Sequence, residues 1–338
     1  MAEGWQAARP FDELVLVPMA DGGEGTIEVI ESAVPGARRT VVEVVDARGL
    51  ATDGAWLGLP DGRALVEAAQ ACGLSRLSPQ DRNPLLTTSY GVGQLLAAAA
   101  AAGHREIIVG LGGSATVDGG GGMATALGHR LRRADGNGVR IGGRFLVDLD
   151  HVELGPSLPA RVTVASDVET PLVGPAGAVA TFAPQKGAAP ADLPLLERAL
   201  RTLADVVERD LGGGPWRDLP GAGAAGGLGF GLSAFCAAKI ERGALTVAGL
   251  VGLDAALDGA EVLVTGEGAL DRQTVAGKVP AYIARLARSR GLLALAVAGR
   301  VEDGAEAAFD RVATLGPDGL EQAAALVAAR TAELARAL

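Results

Sequence analysis

The stretch Glu106–Gly128, EIIVGLGGSATVDGGGGMATALG, decides how the chain is read. It opens on a β-branched apolar run, Ile107-Ile108-Val109, short enough to be a fully buried strand. It breaks at Gly110, Gly112 and Gly113, presents Ser114, Thr116 and Asp118, and passes through four glycines into a helix expected over Met123–Arg133. Glycines let a backbone approach a ligand closely, and the N–H groups at a helix start favour anions. Strand, glycine-and-hydroxyl loop and helix in that order suggest a phosphate or carboxylate site. A tight turn that simply needs small residues is the competing reading, and four glycines in a row exceed what such a turn requires.

The same pattern recurs along the chain. Apolar runs at Leu14–Val17, Ile107–Val109, Val162–Ala165, Val262–Val264 and Leu292–Val297 read as short strands, and each runs into a loop carrying Gly, Asp, Glu, Ser or Thr. Helices are expected over Thr26–Ala33, Thr87–Ala102, from Asp192 to about Glu208, up to about Arg290, and at the C-terminus. Open parallel sheets bind ligands beyond the carboxyl ends of their strands. Asp21, Glu24, Ser114, Asp118, Asp167, Glu267 and Asp271 should therefore converge on one edge. Thr40–Val45, Ala55–Leu59 and Ala64–Glu67, joined by the Pro60-Asp61-Gly62 turn, read instead as a hairpin-rich, mixed region.

The fold class expected is α/β, with a mostly parallel, Rossmann-like sheet domain and a second, smaller mixed α/β domain. The first would comprise residues 1–36, about 84–170 and 240–338. The second would comprise about 37–83 and 171–239.

Composition narrows the function. At 338 residues the chain has room for two ordinary domains, and with 3% aromatics its core must be built from Ala, Val and Leu. A net charge of −10 argues against a nucleic-acid or anionic-membrane partner. Two isolated cysteines, Cys72 and Cys236, fit a reducing cytoplasm and offer no zinc-ligand spacing. The opening MAEGWQAARP lacks the apolar core of a signal peptide. The uncharged run Pro220–Ala238 contains six glycines and reads as a buried loop and helix. His104, His129 and His151 read as surface residues, so no Ser–His arrangement has a candidate.

Two motifs mislead. Gly221-Ala222-Gly223-Ala224-Ala225-Gly226 matches a dinucleotide fingerprint but follows Asp218-Leu219-Pro220 and not a strand. Gly277-Lys278 resembles the end of a P-loop, yet Arg272 and Val279 occupy positions that require Gly and a hydroxyl residue. What remains is a set of carboxylates beside glycine loops, with Lys186 and Lys278 among only three lysines. Carboxylates alone repel a phosphate, so the mixture makes sense if Mg²⁺ bridges protein and phosphate oxygens. Phosphoryl transfer needs positioning, charge neutralisation and a base, and this set supplies all three.

Taken together, the loops resemble those of the bacterial glycerate kinases of the first type. The matching segments are Pro18–Thr26, Thr88-Ser89-Tyr90-Gly91, Gly110–Gly122, Asp167–Gly174, Ala183–Ala188, Gly221–Gly229 and Thr265–Lys278, in the family's order. The resemblance implies phosphorylation of D-glycerate by ATP with Mg²⁺ on a fold of two α/β domains, in the cytoplasm. It implies catalytic roles for Asp271, Lys278 and Asp167, with Asp271 the expected base. It implies substrate or nucleotide contacts from Asp21, Gly22, Gly23, Gly112, Gly113, Ser114, Gln185, Lys186 and Thr274, and Mg²⁺ held by Asp167 and Glu267.

The chain departs from the family pattern at Val117, where Asn is usual, at Glu169-Thr170 and at Ala269. These swaps leave open a kinase for another small hydroxy acid. The family's opening strand and lysine-bearing loop have no counterpart here, because the chain begins inside a helix. A natural chain longer by roughly 25–30 residues is expected at ordinary element lengths. A binding-only relative is the third reading.

Overall fold

The computed structural model describes residues 1–270, 279–316 and 322–338. They form two compact units, residues 20–247 and residues 1–19 with 248–338.

The larger unit is built on a six-stranded sheet. Strands β1 (Arg38–Val45), β2 (Ala51–Gly58) and β3 (Ala64–Glu67) form an antiparallel meander. Strand β4 (Glu106–Gly110) pairs parallel to β3. A small hairpin, β5 (Arg130–Arg132) with β6 (His151–Glu153), follows outside the sheet. Strands β7 (Arg161–Ala165) and β8 (Lys239–Glu241) complete it, parallel to β4 and to each other. The register sets Glu67 beside Gly110, Gly110 beside Ala165, and Ala165 beside Glu241. The parallel strands therefore end on a single row.

Helix Tyr90–Ala101 covers one face, its Val92, Leu95, Leu96 and Ala99 buried with Val66, Ile107, Val109 and Val164. A second core gathers around helix Leu193–Leu211, whose Leu196, Leu200, Leu203 and Val207 repeat at helical spacing and are all buried. The glycine-rich Gly221–Gly231 segment is buried as expected, and Pro220–Ala238 contains no membrane-length apolar helix, nor does any other described part of the chain.

The smaller unit carries a parallel three-stranded sheet, ordered β11 (Arg311–Thr314), β10 (Leu293–Val301) and β9 (Val262–Leu270). Helix Val279–Ser289 packs Ile283, Ala284 and Ala287 with Leu263, Ala294 and Ala296. The C-terminal helix Ala323–Arg336 packs Leu334 and Ala335 with Leu295 and Val297 of β10. Helix Ala2–Ala8 lies so close to it that a Cβ on Gly4 would stand 1.9 Å from the carbonyl oxygen of Ala328.

Several expectations are corrected. Leu14–Val17 forms no strand; Leu14 and Val17 instead pack as irregular chain against apolar clusters. The helix expected over Met123–Arg133 begins within the four glycines and spans only Gly121–Ala126, because Gly128 turns at φ +97° and Arg130–Arg132 pairs with the chain at 151–153. Strand β9 does not break at Thr265; it runs on through Gly266 and Gly268, held by β10 alongside. His129 is buried against Phe235, with burial lowering its pKa, and is not a surface residue. The domain boundaries expected from sequence also differ from the compact units, since β3 pairs directly with β4 and brings residues 37–83 into the same sheet.

Candidate active site

The row Glu67–Gly110–Ala165–Glu241 is crossed by the loop Asp21–Gly25. A Cβ on Gly110 would come within 2.5 Å of the Gly22 carbonyl oxygen, and one on Gly22 within 2.5 Å of the Ala165 carbonyl oxygen. Gly112 approaches as closely, since its Cβ would stand 2.4 Å from the Gly23 Cα. Gly243 closes the far side, where a Cβ would meet the Asp21 carbonyl oxygen at 1.8 Å. These glycines are spent on backbone-to-backbone approach, which no other residue permits. The result lays Asp21, Gly22 and Gly23 over the strand ends beside Gly112, Gly113 and Asp167.

Two carboxylates lie close enough at this loop to repel each other, Asp21 and Asp167. Asp21 accepts the Gly23 N–H at 2.8 Å through Oδ1. Asp167, on the turn after β7, accepts the Ala244 N–H at 3.1 Å through Oδ2. Its Oδ1 is buried and has no hydrogen-bond partner among the described residues. Burial pushes the Asp167 pKa up; the Ala244 N–H works against it, and the negative charge of Asp21 raises it further. A buried, unpaired carboxylate oxygen beside a second carboxylate is costly unless a cation completes it. Hard oxygen donors in this number fit Mg²⁺, which takes one or two carboxylates and fills its remaining positions with water and phosphate oxygens. No cluster of three or more His, Cys, Asp or Glu residues suited to a metal occurs among the described residues.

Behind the glycine loop lies a buried polar layer. Lys186 is 3% exposed, and its Nζ donates to Ser114 Oγ at 2.9 Å and to the Thr116 carbonyl oxygen at 2.8 Å. Burial pushes the Lys186 pKa down to about 8, opposed by the negative charge of Asp118. Asp118 accepts N–H bonds from Ser89, Gly120 and Gly122 and a hydroxyl bond from Ser89 at 2.8–3.2 Å. Burial raises its pKa while these donors draw it back. The amides of Gly112 and Gly113, by contrast, make no hydrogen bond among the described residues, although the Gly113 carbonyl accepts one from Leu74. Glu24, bonded to the Ser75 hydroxyl, lies against Gly113.

The comparisons with known proteins agree on one family. A model of the glycerate kinase family matches residues 1–336. The chain belongs to the glycerate kinase family. A glycerate kinase of Halalkalibacterium halodurans is 41% identical over 91% of this chain and 82% of its own length. The glycerate 2-kinase of Escherichia coli K12 is 40% identical over 89% of the chain and 80% of its own. A crystal structure described as a candidate glycerate kinase 2 from Salmonella typhimurium LT2 superposes with a TM-score of 0.81 at 37% identity. It covers 99% of this chain and 90% of the other.

For this member of the glycerate kinase family, the fold brings together Asp21, Gly22, Gly23, Gly112, Gly113 and Asp167, and sets Ser114 and Lys186 directly behind them. Gln185 is exposed on the turn before Lys186. Glu267 sits half-buried on β9 of the smaller unit. Asp271, Thr274 and Lys278 lie outside the described residues. Val117 is fully buried in the second core, in one cluster with Leu131, Leu146 and Leu172. Sequence reasoning missed Glu67, a buried acid ending β3. A lone carboxylate closing an otherwise apolar strand was the available signal.

Proposed function

We propose that the chain transfers the γ-phosphoryl group of ATP to D-glycerate, with Mg²⁺, as a cytoplasmic enzyme. The observation that carries this reading is the Asp167 Oδ1 near Asp21, unpaired among the described residues, at a strand edge where the amides of Gly112 and Gly113 also make no hydrogen bond among the described residues. Asp167, with Glu267 as the resemblance implies, would hold Mg²⁺. Bound Mg²⁺ neutralises charge on phosphate oxygens. The Gly112 and Gly113 amides donate to an anionic oxygen of substrate or nucleotide, and Ser114 is kept in place by Lys186. Asp271 takes the proton from the acceptor hydroxyl, while Lys278, Gln185 and Thr274 contact the anionic groups.

Phosphorus NMR of a reaction with D-glycerate, ATP and Mg²⁺ tests this. A new phosphomonoester resonance that needs both glycerate and Mg²⁺ is expected, and Asp271→Asn should abolish its build-up. A different hydroxy acid proving the best acceptor, or no product at all, would overturn the assignment.

A further inference from the structure

The Asp21–Gly25 loop runs straight into helix Thr26–Ala33, whose N-cap residue Gly25 sits at φ +93° and offers no side chain. The first-turn N–H of Ile27 is bonded instead by Glu67, forty residues away, whose Oε1 accepts it at 2.6 Å. The Gly25 N–H also acts on the same carboxylate, and Gln70 Nε2 lies 3.4 Å from its Oε2. Glu67 is 1% exposed and stands next to Gly110 in the row over which Gly22 is laid. The same end of the loop is closed by Thr26, whose amide and hydroxyl both donate to the Gly23 carbonyl oxygen.

Burying a carboxylate is expensive, and a Ser, Thr or Asp at the N-cap would satisfy this helix locally. What a distant acid adds is a fixed position of the loop on the sheet. We infer that Glu67 is a positioning residue for the reaction: its carboxylate pins the Asp21–Gly25 loop to the end of β3, and so sets where Asp21 stands beside Asp167. The inference rests on the proposed reading that Asp21 and Asp167 act together in phosphoryl transfer. Small displacements of a reacting group cost rate steeply, about 10²-fold for 1 Å.

The test is a double-mutant cycle of Glu67→Ala and Glu67→Gln with Asp21→Asn, read by kcat, KM and Mn²⁺ binding by electron paramagnetic resonance. Glu67→Ala should lower kcat about 10²-fold with the glycerate KM little changed. It should also weaken Mn²⁺ binding about tenfold, a loss of aligned ligands. Glu67→Gln, whose amide oxygen still accepts the Ile27 N–H, should stay within about tenfold of the parent kcat. In the Asp21→Asn background either change should cost no more than about a further threefold, because both act through one loop.

Additive losses in the cycle would overturn the inference. So would parent-like kcat in Glu67→Ala alongside a disabled Asp21→Asn. If Glu67→Ala does not fold, the Glu67→Gln arm decides by the same additivity criterion. Full activity in Asp21→Asn itself would instead break the underlying reading, and the role of Glu67 with it.

Discussion

Two glycine stretches follow β4, and they do opposite things. In Gly119–Gly122 every amide is spent inside the protein: Gly119 on the Gly226 carbonyl, Gly121 on the Asp118 carbonyl, and Gly120 and Gly122 on the Asp118 carboxylate. The same four residues are closely packed: a Cβ on Gly119 would stand 2.2 Å from a Leu203 methyl, one on Gly120 2.9 Å from the Gly231 Cα, and one on Gly122 2.1 Å from the Thr88 hydroxyl. In Gly112–Gly113 the amides have no partner among the described residues, and Gly113 is exposed. The longer run is a packing joint closed by an internal anion. The shorter pair keeps both amides unspent among the described residues. Glycine count alone therefore does not locate an anion site; the fate of the amides does.

That contrast can be broken most forcefully at Asp118. Asp118→Ala leaves three buried amides and a Ser89 hydroxyl without an acceptor. At about 1–3 kcal/mol for each unmet group, it should cost about 4 kcal/mol or more and leave little folded protein in urea titrations. A loss under about 1 kcal/mol would show that the joint does not depend on its anion.

The next contrast pairs Gly120→Ala with Gly112→Ala. Gly120 has φ +78° and a backbone neighbour in the packing joint, so alanine there should cost about 2–3 kcal/mol of stability. Gly112→Ala pushes on the Gly23 backbone at the strand edge, and should cost about 10²-fold in kcat/KM with a smaller shift in Tm. Equal effects of the two on activity and melting would erase the distinction between joint and site.

The smallest effect concerns the lysine that joins the two stretches. Lys186→Met strips the donor from Ser114 Oγ and the Thr116 carbonyl and should cost about 1–3 kcal/mol at neutral pH. The pH dependence has a definite sign. The Lys186 pKa is lowered from 10.5 to about 8 in the fold, so the unfolded chain holds more protons between those values. Stability of the parent relative to Lys186→Met should then rise from pH 8 towards 10.5 and stay level below 8. A difference in melting temperature that is flat over pH 8–10 would contradict a desolvated, proton-shedding lysine.

Much of this was legible in the sequence where the signal was local. Ile107-Ile108-Val109 declares a buried strand, Thr26–Ala33 is a helix as expected, and the leucine spacing from Asp192 to about Glu208 declares the helix found at Leu193–Leu211. Leu14–Val17 looks like a strand because apolar runs of that length usually are, but among the described residues none pairs with it as a strand. The helix expected over Met123–Arg133 stops at Ala126: Leu127 and Leu131 continue an apolar spacing of four, but the chain is turned at Gly128 to reach the strand at 151–153. The site was legible as a set of loops and not as a set of roles. Glu67 acts on Ile27, and Asp118 on Ser89, across separations that no local pattern encodes. Lys186 reads as an anion contact because it falls inside a glycine-framed motif, while its bond to Ser114 shows only in the packing.

The central claim is that Asp167, with its buried unpaired oxygen beside Asp21, is a working group of the strand edge and not a structural one. Asp167→Asn, assayed for glycerate phosphorylation and melted in parallel, tests it most directly. The account predicts a fall in kcat of about 10²-fold or more, as for other losses of charge stabilisation at a reacting phosphate. It also predicts a melting temperature equal to or above the parent's, because a desolvated charge repelled by Asp21 has been removed. Turnover within a few-fold of the parent, or a protein that loses activity only because it unfolds, would contradict it.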